Sequence, residues 1–321
     1  MIETIPSSRQ VASSSLRVGV GFSPQPDAVW SVVQAAAIAR SRFGAGRPNL
    51  ALVLTTSVPS GDLVAAVQTE LGPVSVAGGL TSGLFTEHGA ERTGSIVVCL
   101  GNADGATSGT VMAPGRTLAD AGQTAARVML AGWPFRMHYP RGIGIALGRD
   151  GMPGSEFLET WRRLMGPKMR TVCGVQSSPP IFTSSSGHVP LASVACLEGP
   201  YATGFGFADA MGPDGATMDV HALIHGAIDA TRTAMKRLEG LPARLVLVVE
   251  SDARRRALGD AAAEEWTAIR GEAGEATICV GWHCERVAAY GRGVRPVDAE
   301  GAVVVIAIGD IARGTSSSDN S

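Results

Sequence analysis

One order of elements recurs three times along this chain, and that recurrence restricts the possible folds more than any single motif does. The clearest copy is residues 244–286, RLVLVVESDARRRALGDAAAEEWTAIRGEAGEATICVGWHCER. Its apolar run at 245–249 is rich in β-branched residues and predicts a buried strand. Ser251 and Asp252 stand where a helix N-cap belongs. From 254 to 270 the positions Ala257, Leu258, Ala261, Trp266 and Ile269 follow helical spacing, with Gly271 as the stop. A second apolar run at 277–280 ends in the polar cluster Gly281, Trp282, His283, Cys284, Glu285, Arg286.

Residues 50–85 and 143–182 repeat this strand, turn, helix, strand, turn order. Each copy is preceded by an Ala-rich helix, at 26–42, 117–130 and 220–238. Each is followed by an expected strand pair: 95–100 with 107–113, 189–196 with 203–207, and 287–290 with 302–308, the first joined by a hairpin turn over 102–108. Residues 16–22 predict a further strand of the first module. The period of about 90–100 residues is too long for a solenoid and suits repeated α/β modules. The predicted class is α/β, three repeated modules with mixed sheets packed between helical layers.

Residues 1–15 and 311–321 read as disordered tails. Between them the chain divides into 16–207 with two modules, a Gly-, Pro- and Asp-rich linker at 208–219, and 220–310 with the third. The 41 glycines among 321 residues, nearly twice the usual share of about 7%, suit many tight turns.

Composition excludes several functions. A net charge of −2 gives no electrostatic footprint for nucleic acid or an anionic membrane. No apolar run approaches the roughly 18 residues of a membrane span, and residues 1–15 lack a signal-peptide core, so the expected location is cytoplasmic. Cys99, Cys173, Cys196, Cys279 and Cys284 are odd in number and contain no Cys-x-x-Cys pair, which argues against a disulfide framework or a zinc knuckle. His221 and His225 lie four apart on a helix, but the acidic residue of a metalloprotease motif is missing and no third ligand is evident; no metal site is expected. Gly-x-Gly at 19–21 and 142–144 lies inside strands and opens no helix, which is the wrong context for a dinucleotide fingerprint.

This layout resembles the FIST family, paired FIST N and FIST C sensory domains. The stretch SVAGGLTSGLFTEHG is similar to the family's strand and Gly-Cys-Ser-Thr-x-Gly-Glu turn, here Gly79-Leu80-Thr81-Ser82-Gly83-Leu84, without the Cys and the Glu. Ser251-Asp252-Ala253-Arg254, then Leu258-Gly259 and Glu264-Glu265, resembles the Cys/Ser-x-x-Arg…Leu-Gly…Glu pattern. Gly281-Trp282-His283-Cys284-Glu285 is similar to a shortened Gly-Phe-Tyr-x-x-Gly-Glu turn. The resemblance implies a protein that binds a small polar metabolite such as an amino acid and signals through a partner protein.

In α/β folds ligands gather at strand ends. The expected contacts are therefore Ser251, Arg254, His283, Cys284 and Glu285, with Thr81, Ser82 and Ser177. Arg254 is the anchor, a guanidinium suited to a ligand carboxylate. Arg255 and Arg256 are expected in solvent. Adjacent His283 and Cys284 would face opposite sides of a strand, which argues against a Cys–His dyad. No catalytic residue is assigned, and the chain reads as a binding protein rather than an enzyme.

Two rivals remain. A haem-based gas sensor would use His283 or Cys284 as ligand. Three α/β modules also resemble the cyanuric acid hydrolase and barbiturase group, which relies on Ser–Lys pairs. This chain has only Lys168 and Lys236, neither at a strand end, so three such pairs cannot form.

Overall fold

The computed structural model describes residues 16–58, 62–101, 107–132, 142–149, 154–167, 169–176, 191–199, 201–209, 219–275, 277–290, 296–299 and 301–310. The first module runs β1 (Arg17–Ser23), α1 (Ala28–Phe43), β2 (Leu50–Thr55), α2 (Leu63–Leu71), β3 (Ser75–Leu80), β4 (Gly83–Thr86), β5 (Gly89–Glu91) and β6 (Ser95–Gly101). The second runs β7 (Thr107–Ala113), α3 (Leu118–Gly132), β8 (Gly142–Arg149), α4 (Gly154–Met165), β9 (Met169–Gln176) and β10 (Ala192–Glu198). The third runs β11 (Tyr201–Ala208), α5 (Val220–Lys236), β12 (Ala243–Ser251), α6 (Asp252–Leu258), α7 (Ala262–Ala273), β13 (Ile278–Cys284), β14 (Arg286–Tyr290), β15 (Pro296–Ala299) and β16 (Val303–Asp310).

Each module builds a mixed sheet on one plan. The β2–β3, β8–β9 and β12–β13 pairs are parallel, as a strand–helix–strand unit requires. The module's last strand returns antiparallel between its first and second, giving β1-β6-β2-β3, β7-β10-β8-β9 and β11-β16-β12-β13. Here the structure departs from the expected strand pairs. β6 and β7 lie in different sheets, as do β10 and β11, and β14 and β16. The return strand fills the middle of its own sheet, so the next strand must open the next sheet. For the same reason β11, expected in the second module, lies in the third sheet beside β16. Most of the expected hairpin turn and of the expected linker falls outside the described residues.

The modules also exchange hairpins. After β3 the chain leaves the first sheet, and β4–β5 joins the third beside β13. After β13 it leaves the third sheet, and β14–β15 joins the second beside β9.

Period-2 alternation sorts the strand residues between two environments. Leu50, Leu52 and Leu54 of β2, Ile143, Ile145 and Leu147 of β8, and Leu245, Leu247 and Val249 of β12 face a single central core built by all three sheets. The intervening Ala51 and Val53, Ala146, and Val246 and Val248 face outer cores under the helices. Each fully buried Leu or Val contributes roughly 1.5–3 kcal/mol of transfer free energy, so the central core welds the modules together.

The predicted helices form with small shifts. Asp27 caps α1 by accepting from the Trp30 N–H, and Asp219 caps α5 by accepting from the Ala222 N–H. The helix expected over 254–270 breaks at Gly259, whose φ of 53° ends α6 before a short 3-10 turn. The second piece passes Gly271 and ends at Gly274, φ 89°. The Gly-x-Gly step in β1 serves packing: a Cβ on Gly19 or Gly21 would lie 2.2 Å from the Ala39 carbonyl oxygen or 2.0 Å from that of Ala35 in α1. Gly204 and Gly206 of β11 meet Ala234 and Ala230 of α5 in the same way. No helix among the described residues is long and apolar enough to cross a membrane.

Candidate functional site

Two of the polar strand ends singled out in the sequence, after β3 and after β13, are places where the chain changes sheets. Thr81 and Ser82 link β3 to β4, and Glu285 links β13 to β14. Two of the three turns meet: the Ser82 N–H donates to the His283 carbonyl (3.2 Å), and the Ser82 hydroxyl donates to Asp252. Thr81 is buried, and its N–H donates to the Thr55 carbonyl (2.8 Å). Ser177 lies outside the described residues.

Ser251, Arg254 and Cys284 are each engaged within the chain. Ser251 is buried, and its hydroxyl caps α6 by accepting from the Arg254 N–H (3.2 Å). Cys284 points into the central core, against Gly174, where a Cβ would lie 2.4 Å from its Sγ. Arg254 is wholly buried. Its Nε–H donates to Glu265 Oε1 (2.9 Å), its Nη1 to the Gly301 carbonyl (3.1 Å), and its Nη2 to Glu265 and the Leu223 carbonyl. Those bonds staple α6 to α5, α7 and the turn before β16. The guanidinium expected to hold a ligand carboxylate is already occupied by the chain itself, because five donors in a dry interior must be met internally.

Beside it lies a polar cluster in which the sequence marks His283 and Glu265 but not Glu250. Glu250 and His283 are register partners on β12 and β13, both facing outward beneath α6 and α7, with Nδ1 3.7 Å from Oε2. The Glu250 and Glu265 carboxyls share this dry interior, where each charge disfavours the other. Burial, reinforced by the Glu265 charge, pushes Glu250 well above the usual carboxylate range. Burial raises Glu265 as well, and Arg254 opposes it. Of the two, Glu250 is the more strongly raised, since Arg254 donates to Glu265 and not to Glu250. Burial, with the nearby Arg255 charge, lowers His283 to about 3, so the imidazole is neutral. Its ring lies 4.4 Å from that of Phe85, which also stacks on Trp266 at 4.7 Å. Arg255 is half-buried over the Phe85 ring (5.5 Å), whereas Arg256 is exposed as expected. An acidic residue ending an otherwise apolar strand was the available signal.

The described residues form a cavity elsewhere, at the seam between the first and third modules. Its volume is about 370 Å³. Val20, Phe22, Ile96, Ile278 and Val280 supply apolar wall, while Arg42, Glu87, His88, Arg270 and Glu275 supply charge and hydrogen bonds. The turn of Thr86, Glu87 and His88 between β4 and β5 is fixed to α7 by its main chain. Trp266 Nε1–H donates to the Thr86 carbonyl and Arg270 Nη1 to the Glu87 carbonyl, each at 2.8 Å. Among the described residues, none of the expected contacts lines this cavity. His283 and Cys284 do not reach it, so neither can ligate a haem there. Cys279 does line it, but burial raises its thiol to about 11, against a smaller opposing effect of Arg270, which disfavours the reactive thiolate. Exposed His221 and His225 ride the surface of α5, and no metal-ligand cluster exists among the described residues.

No known family profile matches the chain, and no curated protein matches it. Among solved structures, a cyanuric acid hydrolase from A. caulinodans aligns at 14% identity over 91% of this chain and 99% of that one, with a TM-score of 0.42. PurLQS from Thermotoga maritima aligns at 9% identity over 94% of this chain and 73% of that one, TM-score 0.29. Phosphoribosylformylglycinamidine synthase II from Thermotoga maritima aligns at 12% identity over 93% and 72%, TM-score 0.29. Likenesses at this level carry no argument about activity.

Proposed function

We propose that this chain is a small-molecule-binding sensory protein of FIST type, holding a small polar metabolite such as an amino acid and signalling through a partner protein. One observation carries the binding role: the cavity at the seam joins an apolar wall to a rim with two guanidinium groups and two carboxylates. Such a combination suits a compact ligand with an apolar body and a charged head, because apolar burial supplies affinity and a few placed polar groups fix orientation. The site lies between two modules, where a ligand that bridges α1 and α7 can alter how they pack. The resemblance of the crossover turns to FIST motifs supports the sensory role.

The test is a thermal-shift panel of the twenty amino acids and small carboxylates. A ligand at 100 times its Kd adds about 2.7 kcal/mol to the stability of the folded state, enough to raise Tm by several degrees. The expected result is a shift confined to a few chemically related compounds and lost in Ile278→Trp, which fills the cavity. A uniformly flat panel argues against the reading.

A further inference from the structure

The mouth of the cavity already contains an anion. Glu87 Oε1 lies 2.9 Å from Nη2 of Arg42 and 3.6 Å from Nε2 of His88. Arg42 is oriented independently of Glu87, since its Nη1 donates to the Val20 carbonyl (3.2 Å), a residue of the cavity wall. Glu87 and Arg42 are each about half exposed, at 51% and 50%. The Glu87 backbone is held by Arg270, and that of Thr86 by Trp266, so the carboxylate can leave Arg42 by rotating one side chain while the turn stays in place. Arg270 contributes a second positive charge at the same mouth, with a carbonyl rather than a carboxylate as its hydrogen-bond partner there.

We infer that Arg42 is an anion subsite whose resting occupant is the chain's own Glu87, and that the ligand presents an anionic group, attached to an apolar body, which takes Glu87's place. The body rests on Val20, Phe22, Ile96, Ile278 and Val280, and Glu87 swings into solvent. Glu87 then sets a threshold: an uncharged ligand of the same shape gains nothing from displacing it. An exposed ion pair contributes little, so the threshold is low, and removing the competing carboxylate strengthens anion binding about two- to fivefold. The inference rests on the cavity being the ligand site.

The test uses two fluorescent probes that share an apolar skeleton, the anionic 8-anilinonaphthalene-1-sulfonate and the uncharged N-phenyl-1-naphthylamine. They are titrated against the full chain and its Glu87→Gln, Arg42→Met and Ile278→Trp variants, each first shown to melt cooperatively. Glu87→Gln is expected to bind the sulfonate two- to fivefold more tightly and the neutral probe unchanged. Arg42→Met is expected to weaken the sulfonate alone. Sulfonate affinity that ignores Glu87→Gln, or a gain equal for both probes, overturns the subsite. Binding of both probes undiminished by Ile278→Trp shows instead that they bind outside the cavity, and then the cavity reading fails and the subsite with it.

Discussion

Arg254 shows how residue identity and residue role part company. The motif around it is legible in the sequence, and so is its place at the start of a helix. Its burial is not, because the partners come from 31, 11 and 47 positions away: the Leu223 carbonyl, Glu265 and the Gly301 carbonyl. Only the packing of α5 and α7 over the third sheet brings them together. Arg254→Met therefore leaves Glu265 as an uncompensated buried charge and is expected to destabilise the protein by about 3–5 kcal/mol in chemical denaturation. Binding in the cavity should persist under conditions where the variant is folded. The same cluster sets two opposing pH dependences. Glu250 has its folded pKa raised, so its contribution is present below about 4.5 and is lost as pH rises through the folded value. His283 has its folded pKa lowered to about 3, so its contribution is present above 6.5 and is lost as pH falls towards 3. Urea midpoints across pH should show Glu250→Gln more stable than the parent at neutral pH, with a shallower alkaline decline. His283→Gln should lose part of the acid decline, at most about 1.4 kcal/mol per pH unit.

At the scale of elements, strands and helices were largely readable because each carries its own periodicity and caps. β12 and the Ser251 cap stand where the residues place them, while the helix after them is split at Gly259. What local pattern does not encode is the destination of each strand. The pairs expected across short turns separate because a return strand fills the centre of its own sheet, and that depends on contacts far apart in sequence. The crossover turns were recognised as special, and Thr81 and Ser82 in the first of them make hydrogen bonds within the chain. Gly21 gives the sharpest test of the element packing. Its missing side chain lets the Ala35 carbonyl approach to within 2.0 Å of the vacant Cβ position. Gly21→Ala must push α1 from β1 and is expected to destabilise by about 1–3 kcal/mol or more, while Gly271→Ala, with open space around it, should be neutral or stabilising.

For the whole molecule, three modules share one core and exchange hairpins, so the seam between the first and third is built from the β4–β5 turn of one and α7 and β13 of the other. Its cavity draws residues from positions 20 to 280, and for that reason no contiguous motif announces it. The Thr86-Glu87-His88 turn was the nearest sequence signal, following directly on the crossover. Binding at this seam is the central claim, and native mass spectrometry after incubation with the twenty amino acids tests it most directly, beside the denatured mass and an absorption spectrum. The account predicts a single added small-molecule mass on the native protein, absent from the denatured one and from Ile278→Trp. A native mass equal to the denatured mass, or an adduct that Ile278→Trp keeps, would contradict it, and a haem mass with a Soret band would replace the amino acid with a different ligand.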